Sequence, residues 1–67
     1  MIKYTFEDKE RSLFLAIEED VVGWYLIVYS NESRNGTKAD YLQDTLQDVI
    51  GEAEERFGVA ESQWKEV

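Results

Sequence analysis

"DYLQDTLQDVIGEAEERFGV", residues 40–59, decides how this chain is read. At the helical period Leu42, Leu46, Val49, Ile50, Ala53 and Phe57 fall on one side, an apolar stripe wide enough to sit on a sheet. Gly58 stands where a left-handed C-cap is expected, and Val59 supplies the apolar contact that accompanies such a cap. Upstream, Thr37 with Asp40 three residues on resembles a capping box, with Asp in place of Glu. The spacing therefore predicts one helix over about residues 38–57. Gly51 falls inside it, at a cost of about 1 kcal/mol against alanine, and is expected to let the helix approach a sheet closely.

The same stretch carries an acidic series. Asp40, Asp44, Asp48 and Glu52 fall four apart, Glu55 extends them, and no base relieves them until Arg56. On one helix these five spread over about 120°, nearly opposite the apolar stripe. An acidic outer face is ordinarily just solvated surface. Like charges four apart nevertheless cost a helix roughly 0.2–0.5 kcal/mol per pair, and Glu52, Glu54 and Glu55 sit toward the negative end of the dipole. An interface for a basic protein would account for that cost, with electrostatic steering of the encounter. Asp44, Asp48 and Glu52 could also hold Ca²⁺ or Mg²⁺ weakly, but such sites draw ligands from loops with a defined turn. No metal site and no cofactor is expected.

Before this stretch the period is two. "MIKYTFE" alternates Ile2, Tyr4 and Phe6 with Lys3 and Thr5. "RSLFLAIE" is apolar on both parities, and "VVGWYLIVYS" sets Trp24, Leu26 and Val28 against Tyr25, Ile27 and Tyr29. Strands are predicted at about 1–7, 11–18 and 21–30, joined by short polar turns as an antiparallel meander with the second strand in the middle. "NESRNG" is a loop of turn formers; Asn35-Gly36 suits a tight hairpin, but no further strand is read after it. The fold class is α+β: one domain over 1–67, two layers, β-β-β-α, with the helix on one face and a tail over 58–67. Trp64 is expected to fold back over an edge.

One helix covers one face of such a sheet. The other face would show Phe14, Ala16, Tyr25, Ile27 and Tyr29, with Lys3, Thr5 and Ser12 around them. Exposed Tyr and Thr are common, and the tail or a loop can cover part of the face. As an interface, the same residues would serve a partner protein or a homodimer, since contiguous apolar patches and Tyr-rich surfaces mark binding sites.

Composition narrows the function classes. The chain has 67 residues, a net charge of -8, no Cys and no His. Disulfides are excluded, and the commonest transition-metal ligands are absent. Residues 39–67 hold 8 acids and 2 bases, against 7 and 5 in residues 1–38. There is no basic stripe of the kind nucleic-acid binding needs, and an anionic membrane surface is disfavoured likewise. No run approaches the roughly 20 apolar residues of a membrane span. "MIKYTFEDKE" lacks the apolar segment of a secretory leader, so a cytoplasmic address is expected. No catalytic residue is proposed: Ser12, Ser30, Ser33 and Ser62 have no histidine to activate them, no Gly-rich phosphate loop occurs, and so small a domain has little room for a cleft.

Asp40-Tyr41-Leu42, Asp44-Thr45-Leu46, Ala53-Glu54-Glu55, Phe57-Gly58-Val59 and Trp64 together resemble a pattern found in small acidic bacterial proteins of mostly unknown function. Some of these look like immunity proteins of toxin systems. The resemblance covers residues 40–64 and implies neutralisation of a toxin by protein binding, without assigning binding residues. The expectation is an immunity-type inhibitor occluding a basic partner such as a nuclease toxin. A homo-oligomeric or structural domain with the open sheet face as interface is the alternative. A phage-type inhibitor mimicking nucleic acid is a further one, since carboxylates four residues apart on a helix rise about 6 Å, near the phosphate spacing.

Overall fold

The computed structural model describes residues 1–67. Strands β1 (Ile2–Asp8), β2 (Leu13–Asp20) and β3 (Gly23–Tyr29) form the expected antiparallel meander. β2 lies between the other two, and Leu13 through Ile17 are all buried, as a strand apolar on both parities requires.

The chain then departs from expectation. Residues 37–43 are a strand, not the first two turns of a helix: β4 (Thr37–Gln43) runs antiparallel to β3, with Leu26 opposite Tyr41 and Val28 opposite Ala39. The helix α1 spans only Leu46–Phe57. A second departure follows at the end of the chain, where β5 (Lys65–Glu66) pairs with β1 through Tyr4↔Glu66 and Thr5↔Lys65. The sheet therefore has five strands, in the order β4-β3-β2-β1-β5, rather than three.

The chain contains the same capping pattern twice, Thr37-x-x-Asp40 and Thr45-x-x-Asp48. The second caps the helix: Thr45 is extended, and its Oγ1 accepts from the Asp48 N–H at 3.1 Å. Between the two patterns Ala39, Tyr41 and Gln43 alternate with exposed Lys38, Asp40 and Leu42, which is a strand's period. A helix begun at residue 38 would have left the outer edge of β3 without backbone partners. The connection from β3 to β4 is the Asn-Gly-containing loop, widened to seven residues. Asn31 organises it, donating to Asn35 Oδ1 at 2.8 Å and accepting from Ser33 Oγ at 2.7 Å. Ser30 N–H closes it on the Gly36 carbonyl at 2.7 Å. At the other end of the hairpin Gly23 has φ 148°, and a Cβ there would stand 2.5 Å from the Gln43 carbonyl oxygen. Only glycine lets the two strands approach there.

Leu13, Leu15, Ile17, Leu26 and Val28 form the sheet's contribution to the core, and Val49, Ala53 and Val59 close it from the helix side. Five of these side chains, Leu15, Ile17, Leu26, Val49 and Val59, are fully buried, at about 1.5–3 kcal/mol each. Gly58 takes the expected left-handed cap with φ 71°, donating to the Glu54 carbonyl at 2.9 Å, and Val59 turns under the helix. Arg11, from the β1–β2 turn, donates to the Phe57 carbonyl at 2.6 Å, a cation at the negative end of the helix. Trp64 does fold back. It meets Phe6 edge-on, with ring centroids 6.2 Å apart, and its anchoring leads the chain into β5. Gly51 does not bring helix and sheet together: it faces solvent, and an added Cβ would meet nothing within 4 Å. No helix is long and apolar enough to cross a membrane.

Three substitutions read this arrangement in urea melts. Thr45→Ala should lower stability by about 1 kcal/mol, whereas Thr37→Ala, at an exposed strand start, should change it by less than about 0.5 kcal/mol. Gly51→Ala should raise it by about 0.5–1 kcal/mol. The opposite order for the two threonines would restore the longer helix.

Candidate functional site

The strand at 37–43 breaks the acidic series. Asp40 stands on β4 opposite Ile27, on the face away from the helix. Asp44 lies in the connection between β4 and α1 and is exposed. Only Asp48, Glu52 and Glu55 share the helix, within about 60° of arc at 100° per residue. The five acids predicted to make one face are thus divided among a strand, a connection and a helix.

Glu52 is moreover committed within the fold. It accepts from Gln43 Nε2 and from Arg56 Nε, both at 2.6 Å. The Arg56 guanidinium lies over the Tyr41 ring, 4.4 Å from its centroid. Gln43, Glu52, Arg56 and Tyr41 therefore tie the helix to the edge strand, and the arginine one turn on relieves the acids that precede it. The hydrogen bond from Gln43, together with the neighbouring Arg56, holds the Glu52 carboxyl below the usual carboxylate range, and burial opposes this only in part. Arg56 is shifted upward in turn by its bond to Glu52. Asp44, Asp48 and Glu52 do not gather as the cation reading required, and no group of three carboxylates is close enough to share an ion.

The face of the sheet opposite the helix is built from alternate residues of four strands. Cross-strand register sets Thr5, Ala16, Ile27 and Asp40 in one row. Glu7, Phe14, Tyr29 and Thr37 form a second, and Glu18, Tyr25 and Leu42 lie in a third. Of the residues expected on this face, Tyr25, Ile27 and Tyr29 are half-buried and available. Phe14 and Ala16 are not, at 7% and 0% exposure, and Phe14 is withdrawn as a contact residue. Both lie on the central strand β2, flanked by strands on either side. Arg34, with φ 59°, sets its guanidinium over Tyr29 at 5.9 Å from the centroid. It also lines a depression of about 500 Å³ with Thr5 and Glu7, at the end of the face where Phe14 stands between its register partners Glu7 and Tyr29. Ser12 lies in the β1–β2 turn, outside this surface.

β4 adds two residues that sequence reasoning had placed elsewhere. Leu42, expected in the helix stripe, is 50% exposed beside Tyr25. Asp40, expected on the helix ridge, borders Ile27. The signal that could have found them was the Asn35-Gly36 hairpin followed by alternation through Tyr41. The resulting surface is a strip of Tyr25, Ile27 and Leu42 edged by Asp40 and Glu18. Compared with protein-family models, with curated proteins and with solved structures, the chain finds no match.

Because the folded Glu52 carboxyl titrates below its unfolded value, its bonds stabilise the fold above the unfolded pKa. That contribution is lost as pH falls through the folded pKa. Glu52→Gln should therefore flatten the acid limb of stability against pH, measured by denaturant melts between about pH 7 and about pH 2. An unchanged acid limb would remove the assigned role.

Proposed function

We propose that this chain is a small non-catalytic domain that binds another protein on the open face of its sheet. One observation carries the reading: Leu42, half exposed, stands beside Tyr25, while Asp40 stands beside Ile27, on a face that the helix does not cover. An apolar centre with a charged rim is the anatomy of a protein interface, and Tyr is favoured at its energetic centre. Asp40 and Glu18 on the rim and a net charge of -8 favour a basic partner.

The specific form we put forward is an immunity-type inhibitor that occludes a basic protein such as a nuclease toxin. Tyr25, Ile27 and Leu42 would form the desolvated contact, with Asp40 pairing at its edge. The helix acids take a different part from the one their spacing suggested. Asp48 and Glu55 lie in the other layer, so they act through the long-range field and not by contact. The phosphate-mimic alternative loses its support, since the helix carries three of the five acids and Glu52 is already bonded.

The test separates contact from field. With a basic partner captured from the native host, Leu42→Lys should abolish binding at unchanged stability. Asp48→Lys with Glu55→Lys should slow association about tenfold at low salt and leave dissociation unchanged. Loss of binding in the helix variant alone would place the interface on the helix instead.

A further inference from the structure

Four of the seven basic residues, Arg11, Arg34, Lys38 and Lys65, have no carboxylate within ion-pair distance, although acids outnumber bases by 15 to 7. Lys3, Lys9 and Arg56 are each paired with a glutamate, and Arg11 binds a carbonyl. Lys65 belongs to the open face: it is opposite Thr5 in register and lines the same depression as Thr5, Glu7 and Arg34. Asp40, also without an ion-pair partner, belongs to that face too. The two lie in a single cross-strand row, Lys65–Thr5–Ala16–Ile27–Asp40. One outer strand of the sheet thus ends this row with a free cation and the other with a free anion. Four interstrand spacings separate them, about 19 Å.

From this polarity we infer that the open face is closed, in the absence of another protein, by a second copy of the chain. The inference rests on the reading of this face as a docking surface, and it names a partner for it. A two-fold axis parallel to the strands and passing over Ala16 exchanges β4 with β5 and β3 with β1. It sets Lys65 of each copy over Asp40 of the other. Sheets packed face to face stand about 10 Å apart, a gap that an extended lysine and an aspartate span together. The same rotation lays Tyr25 against β1 of the second copy and Leu42 against its β5. The interface is isologous and closes at two copies. A face about 19 Å across lies at the small end of specific interfaces. The dimer is therefore weak and exchanges readily for a tighter partner.

Sedimentation equilibrium from about 10 μM to about 1 mM at about 0.15 M salt, where the net repulsion of two acidic chains is screened, reads the association. Asp40→Lys or Lys65→Glu alone should weaken it about tenfold, because each reversal breaks two symmetric contacts and makes both repulsive. The combined reversal should restore it to within about threefold. The chain has no cysteine, so Asp40→Cys with Lys65→Cys gives an independent reading that does not depend on weak association. The two positions stand about 19 Å apart within one chain but only about 10 Å apart across the facing sheets, too far for a disulfide and within reach of a short bismaleimide only between copies. Treatment with such a cross-linker should yield a covalent dimer and no higher species. A wild type monomeric throughout, a dimer indifferent to both single reversals, or a cross-linked ladder beyond two copies would each overturn the inference. A monomer whose basic partner is still lost with Leu42→Lys would leave the docking surface standing and remove only the second copy from it.

Discussion

Pairing between β3 and β4 is the interaction on which the rest of this small structure depends. β3 carries two fully or nearly buried residues, Leu26 and Val28, and its outer backbone edge would otherwise face solvent or the end of the helix. Once Thr37–Gln43 fills that edge, Tyr41 and Ala39 extend the core beside Leu26 and Val28. The helix is forced to start at the second Thr-x-x-Asp pattern. Gln43 then reaches Glu52, and Arg56 reaches Tyr41. The placement of Asp40 and Leu42 on the opposite face follows from the same pairing, because side chains of a strand alternate.

Charge in this protein is less wasteful than its composition suggests. Glu52 is shared between Gln43 and Arg56, Glu32 ties the β3–β4 loop to Lys9, and Glu19 meets Lys3. The exposed Lys9–Glu32 and Lys3–Glu19 pairs each contribute little stability, but they orient loops and edges. Of the five acids spaced four or three apart in the sequence, Asp48 and Glu55 stand free on the helix, Asp40 on the other face of the sheet and Asp44 in the connection between them. A two-layer fold separates what a single helix would have gathered.

The open face is also narrower than a bare sheet would offer. Arg34, held in a left-handed conformation by a loop organised around Asn31, lies over Tyr29 and leaves Tyr25, Ile27 and Leu42 as the open apolar strip. The loop thus acts as part of the second layer on that side. It protects the β1–β2 end of the face and leaves the other end free.

Local pattern was sufficient for the three-stranded meander, for the helix from Leu46 onward, for its left-handed Gly58 cap and for the return of Trp64. In each case one period or one cap dominates its window. It was insufficient at residues 37–45, where Ala39 and Tyr41 follow a strand while Leu42 and Leu46 follow a helix, and where two capping patterns compete. That choice depends on the unpaired edge of β3, which no short window contains. The candidate surface shares this ambiguity: Tyr25, Ile27 and Tyr29 were legible from the alternation of β3, but Leu42 and Asp40 were not. The sequence by itself determined the class, the charge and the absence of Cys and His. Only the tertiary structure decided which carboxylates share a surface, because register across four strands, and not spacing along the chain, sets what stands beside what.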